Sequence, residues 1–85
     1  MKITSITVKK IPGQKVLKGV ASVVFDDELK IREIKVLESE KGNLYIVMPS
    51  KRLNNNDYVG YAYPVTESFR SVLQEAILEK YYETE

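Results

Sequence analysis

The sequence predicts an α+β chain, a small antiparallel β-sheet of about five strands with one C-terminal amphipathic helix. Three observations lead there. Residues 2–63 are rich in Ile, Val and Tyr, with apolar residues recurring two apart, as half-buried strands require. Turn-forming clusters interrupt that stretch at intervals short enough for antiparallel hairpins. Beyond Pro64 the apolar period becomes three and four. The 85 residues read as a single domain, 1–85, with strands over about 2–63 and the helix over about 67–82.

The first strand spans Lys2 to Ile11, with Ile6 and Val8 two apart, and ends at Pro12-Gly13, a pair suited to a type II turn. Val16 to Phe25 follows. Leu17, Ala21, Val23 and Phe25 share one face, while Val16, Val20 and Val24 make the other face too apolar to be simply wet. Another layer or another chain is expected there. Asp26-Asp27-Glu28 reads as a polar turn. In Leu29 to Glu38 the apolar phase shifts between Ile31 and Ile34, which calls for a bulge near Arg32-Glu33 or for burial on both sides. After the turn Glu40-Lys41-Gly42-Asn43, Leu44 to Met48 is apolar on both faces and reads as a central strand. Pro49 ends it, a polar loop covers Ser50 to Asp57, and Tyr58 to Tyr63 reads as a short last strand. Thr66 is a good N-cap, and Phe69, Val72, Leu73, Ala76, Ile77 and Tyr81 form the helix stripe. Tyr81 and Tyr82 are expected to anchor the helix end.

A chain of this length buries only about 60–65% of its unfolded surface, so a lone core is marginal. There is no cysteine and no histidine, which removes disulfides, Cys/His zinc sites, nucleophilic triads and the usual neutral-pH proton shuttle. Self-association remains as the stabilising device, and a homodimer is expected. The formal net charge is +1, but residues 1–66 hold 11 basic against 7 acidic side chains, and residues 67–85 hold 2 against 5. The C-terminal end should repel phosphate and the rest attract it weakly. No leader-like or membrane-spanning run is present, so a cytoplasmic location without membrane contact is expected.

Few motifs point to chemistry. Asp26-Asp27-Glu28 is the one tight carboxylate cluster, and its spacing is that of a turn rather than of a calcium loop. The four glycines fit no phosphate-binding pattern. An enzyme is therefore not expected, nor a cofactor, a metal or a small-molecule substrate. Tyr58, Tyr61 and Tyr63 either stack nucleobases or pack under the helix; packing is favoured, because aromatics dominate cores of this size. Ser50-Lys51-Arg52 places two cations just after a rigid Met48-Pro49 corner. On charge alone a solvated loop is favoured over a phosphate contact, because surface Lys-Arg pairs are common. Lys9, Lys10, Lys30, Arg32 and Lys35 would extend a basic strip if the strands line up.

Met1-Lys2-Ile3-Thr4, Ala21-Ser22-Val23-Val24-Phe25-Asp26, Ile34-Lys35-Val36 and above all Met48-Pro49-Ser50-Lys51-Arg52 resemble the SpoVG family (stage V sporulation protein G). Ala62, Pro64 and Phe69-Arg70 extend the resemblance to about Tyr82. It implies a small cytoplasmic, usually dimeric regulator that binds DNA and RNA and is tied to septation, sporulation and gene expression. It also implies that Lys51 and Arg52 contact nucleic acid, with Ser50, Lys35 and Arg32 as further candidates. The chain departs from the family pattern at Arg32-Glu33, at Tyr63 and in Asn54-Asn55-Asn56-Asp57. The competing expectation is a protein–protein interaction module acting on division or regulatory partners without touching nucleic acid.

Overall fold

The computed structural model describes residues 1–84. Six strands, β1 (Ile3–Lys10), β2 (Leu17–Phe25), β3 (Leu29–Glu38), β4 (Leu44–Val47), β5 (Ser50–Arg52) and β6 (Tyr58–Gly60), precede one helix, α1 (Glu67–Glu83). β1 to β4 form an antiparallel meander in sequence order, while β5 and β6 pair separately as a two-stranded ribbon. The α+β class and the C-terminal helix are as the sequence predicts.

The turns follow from their residues. Gly13 takes a φ of +81°, open to glycine without strain, and Ile11 N–H donates to the Lys18 carbonyl across the hairpin at 3.0 Å. Asp26 and Asp27 both sit in the left-handed region, which aspartate tolerates better than most residues. That turn is tied to β1. The Lys2 N–H donates to Asp26 Oδ1 at 3.0 Å, and the Asp27 N–H donates to Thr4 Oγ1 at 3.0 Å.

The phase change in β3 is resolved by a bulge. Ala21 pairs with Ile34 and Val23 with Ile31, so the Arg32-Glu33 step is absorbed there, with Glu33 at a φ of +62°. Ile31 and Ile34 thus reach the same side. On that side Val8, Ala21, Val23, Phe25, Ile34, Val36, Ile46 and Met48 meet Leu73 and Ile77 of α1, and these ten residues are the buried core. Thr66 caps the helix, its Oγ1 accepting from the Phe69 N–H at 3.2 Å.

Several expectations are corrected. β4 is an edge strand, not a central one. Leu44 and Ile46 face the core, but Tyr45 and Val47 point to the opposite side of the sheet, beside Leu37 and Lys35 and away from α1. Ser50–Arg52 is a strand instead of a loop, because β6 returns to pair with it. Tyr58, Tyr61 and Tyr63 do not pack under the helix; they are 67%, 69% and 61% exposed. Val72 leaves the helix stripe and is 54% exposed, the apolar face being completed by Phe69, Leu78 and Tyr81. At the helix end only Tyr81 anchors; Tyr82 is exposed and meets the Tyr81 ring edge-on.

The free edge of β4 is covered in an unusual way. The Ile46 N–H donates to Gln74 Oε1 at 3.3 Å, and the Ile46 carbonyl accepts from Arg70 Nη2 at 3.2 Å. Two helix side chains thus stand in for a neighbouring strand at that position. The side of the sheet opposite α1 is the face on which the core does not lie.

Candidate nucleic-acid interface

The ribbon is where the sequence places its cations. Every residue of β5 and β6 is exposed. Its register pairs Ser50 with Gly60, Lys51 with Val59 and Arg52 with Tyr58. Side chains directly opposite each other share a face and successive ones alternate. Lys51 and Val59 therefore lie on one face, and Arg52 and Tyr58 on the other. The two adjacent cations are divided between the two sides of a thin ribbon, a division the sequence reading did not anticipate.

The base of the ribbon is held by Pro49, whose carbonyl accepts from the Tyr61 N–H at 2.8 Å. Its tip is closed by the Leu53 N–H to Asp57 carbonyl bond at 2.7 Å and by Asn55, whose Oδ1 accepts from the Asp57 N–H at 3.2 Å. Arg52 Nη2 donates to Asn56 Oδ1, which fixes the guanidinium without neutralising it. Among the described residues the one salt bridge is Lys18–Glu38 at 4.0 Å, so Lys51 and Arg52 have no carboxylate partner.

The other candidates lie on the open side of the sheet. Lys9, Val20, Lys35 and Val47 stand in one row across the four strands, in register. Lys9 and Lys35 are thus two strand spacings, about 10 Å, apart. Arg32 joins Lys9 at a hollow of about 320 Å³, and Lys35 joins Ser50 and Tyr61 at a neighbouring one of about 210 Å³; Glu33 borders both. The basic strip is continuous from Lys9 to the foot of the ribbon, with one acidic group in it. Lys10 does not belong to it. Its side chain lies on the helix side with Nζ 4.5 Å above the Tyr81 ring.

The sequence reading named the tyrosines of the ribbon but favoured a core role for them. Nothing in their spacing distinguishes a core strand from an exposed one. Gly60 is a second member of the site that went unremarked. A Cβ there would lie 2.7 Å from the Tyr63 ring, so its missing side chain is what lets that ring rest against the ribbon.

A family model, SpoVG, matches residues 1–83. The chain is 41% identical over 81 residues to a protein of Phytoplasma australiense, covering 95% of this chain and 83% of that one. It is 42% identical over 81 residues to one of Agathobacter rectalis, covering 95% and 92%. It is 39% identical over 85 residues to one of Lachnospira eligens, covering 100% and 96%. Each of the three carries the name "Putative septation protein SpoVG".

Proposed function

The chain belongs to the SpoVG family, and on that premise we propose that it is a nucleic-acid-binding regulator, acting as a homodimer in septation, sporulation or gene expression by binding rather than by catalysis. The observation that carries the reading is the ribbon itself. A two-stranded arm with no buried residue adds nothing to the core, yet its base and tip are fixed by hydrogen bonds and it presents Lys51 and Arg52 without carboxylate partners. Cations held in place lose less entropy on meeting phosphate than cations on a floppy tail. The row of Lys9 and Lys35, with Arg32 beside it, offers phosphate a continuous track to the ribbon's foot.

The open side of the sheet supports the dimer. Val20, Val24, Leu37 and Val47 lie there half-buried, joined by Leu17, which a register shift before Gly19 sets opposite Leu37 and not, as the sequence alternation predicts, on the face of Ala21, Val23 and Phe25. Capping of Ile46 by Gln74 and Arg70 obstructs strand-to-strand pairing along β4, which favours a face over an edge as the contact. A symmetric pair would present the ribbon twice. Light scattering at low micromolar concentration should report two chains per particle, and a monomer would remove this part of the reading. No described helix is long and apolar enough to cross a membrane.

A protein–protein interaction module is the second reading, favoured by an apolar groove of about 360 Å³ between the helix start and the end of β2, lined by Phe25, Leu29, Met48, Tyr63 and Val65. Val65 is 88% exposed at its rim. Titration of short DNA and RNA at increasing salt separates the two. The nucleic-acid reading predicts binding that weakens steeply, with log K falling linearly in log salt. Absence of binding at low salt would leave the interaction module.

A further inference from the structure

We propose that the Arg52 face of the ribbon is a stacking platform for unpaired nucleobases, with Tyr58 and Tyr63 supplying the rings, so that the chain takes single-stranded DNA or RNA in preference to duplex. The inference rests on the nucleic-acid reading and narrows its substrate.

The starting point is an anomaly of burial. Aromatic side chains are the largest apolar groups a small chain has, and Phe25 and Phe69 are used accordingly, their rings tilted against each other with centroids 5.9 Å apart between sheet and helix. Tyr58 and Tyr63 are withheld from any such contact. Among the described residues neither pairs with another aromatic ring, and neither hydroxyl makes a hydrogen bond within the chain. Tyr58 is left in water opposite Arg52, and Tyr63, which rests over Gly60 at the rim of the apolar groove, is still 61% exposed.

Their arrangement is specific to one face. Tyr58 lies directly opposite Arg52. Gly60, two residues further along β6, points its missing side chain to the same face, and the Tyr63 ring fills that space, 2.7 Å from where a Cβ would stand. Opposite Gly60 is the small Ser50. The face therefore presents two aromatic rings and a guanidinium plane, with only glycine and serine in the remaining positions. Rings and guanidinium planes are the groups on which splayed-out bases stack, whatever their sequence. Arg52 is turned into position by Asn56, and its remaining N–H groups are free for a phosphate. The opposite face is differently made. Val59 is aliphatic, and Tyr61 lines the hollow shared by Glu33 and Lys35.

A ribbon of this width also fits a duplex major groove, where side chains would read base edges. The tip argues against that use. Asn55 donates from Nδ2 to Asp57 Oδ2 at 3.0 Å and accepts from the Asp57 N–H, and Asn56 accepts from Arg52. Two of the three amides that could read adenine are thus engaged within the ribbon, and Asp57 adds a negative charge there. In a duplex, moreover, the faces of the bases are already stacked on one another and closed to a tyrosine ring.

The test uses four probes of equal length: a mixed-sequence single-stranded DNA, the corresponding RNA, the DNA duplex, and an abasic deoxyribose-phosphate oligomer with no bases. Wild-type protein should bind both single strands more tightly than the duplex and the abasic oligomer. Tyr58→Ala and Tyr63→Ala should each weaken single-strand binding by roughly 5- to 150-fold, the equivalent of about 1–3 kcal/mol per stacked base. Their salt slopes should stay at the wild-type value, since no cation is removed. Tyr58→Phe should bind normally, and Tyr58→Leu, which keeps apolar area without a π face, should bind like the alanine variant. Arg52→Ala should cost more on single strands than Lys51→Ala, and Tyr61→Ala less than Tyr58→Ala. Circular dichroism checks that each variant is folded; the phenylalanine and leucine pair alone decides the point if an alanine variant is not. Duplex or abasic oligomer bound as tightly as single strand, or Tyr58→Leu bound like wild type, would overturn the platform while leaving phosphate binding in place. Failure of wild-type protein to bind any probe would instead overturn the nucleic-acid reading and the platform with it.

Discussion

The four-stranded sheet with its helix and the two-stranded ribbon are built from similar residues for opposite ends. The ten buried core residues all lie in β1 to β4, in α1, or at Met48 just beyond β4. The ribbon, which begins two residues after Met48, buries none. In the body, aromatic and β-branched side chains are drawn inward and polar groups serve turns, caps and an exposed strand edge. In the ribbon, tyrosine, valine and cations all face water, and hydrogen bonding is concentrated at the base and tip. Under the proposed function the contrast separates stability from recognition: disruption of the body should unfold the chain, while changes on the ribbon should leave it folded and alter what it holds.

The largest effect expected on the body is from Phe25→Ala or Ile34→Ala. Both side chains are fully enclosed, and truncation should cost about 3–5 kcal/mol. That is a large share of the roughly 5–15 kcal/mol that holds a small domain together, and denaturant unfolding should show the midpoint collapse. Tolerance of either change would mean that the core extends beyond these contacts.

An intermediate effect is expected at the β4 edge. Arg70→Ala combined with Gln74→Ala leaves the Ile46 N–H and carbonyl without their side-chain partners. The loss should be about 1–2 kcal/mol, together with new concentration-dependent association as the bare edge finds other strands. Denaturant curves and light scattering on the same sample measure both, and unchanged association would show that the two side chains do not guard the edge. Thr66→Ala should cost about 1 kcal/mol through loss of the cap on the Phe69 N–H, with the transition otherwise of the same shape. Smallest of all, Lys51→Ala with Arg52→Ala should shift stability by less than about 0.5 kcal/mol, because neither side chain is buried or paired with a carboxylate.

The body was largely legible in the sequence because burial writes a period into it. Alternation in Leu17 to Phe25 and the three-and-four spacing after Thr66 gave the sheet and helix, and the phase slip at Arg32-Glu33 pointed to a bulge that is present. The edge position of β4 was hidden, since Tyr45 and Val47 are apolar yet lie on the side of the sheet away from the core. The ribbon was legible only in part. Lys51 and Arg52 could be named, but a three-residue strand has too little pattern to announce itself, so their division between two faces depended on seeing β6 pair with β5. The tyrosines misled for a related reason: an exposed aromatic and a core aromatic on a strand have the same spacing. Arg70 and Gln74 carried no signal at all, their role being set by the position of a strand some 24 to 28 residues away in the chain.

The most direct test of the separation between body and ribbon is to measure, on the Lys51→Ala/Arg52→Ala double variant, unfolding and single-stranded DNA binding together across a salt series. Each neutralised phosphate contributes a slope of about −0.7 on single strands, and a dimer presents the pair twice, so the variant's slope should flatten by roughly 1–3 units with weaker binding at low salt. Its unfolding curve should overlie that of the wild type. Unchanged affinity and slope in a folded variant would contradict the account, and so would a binding loss that merely follows a loss of fold.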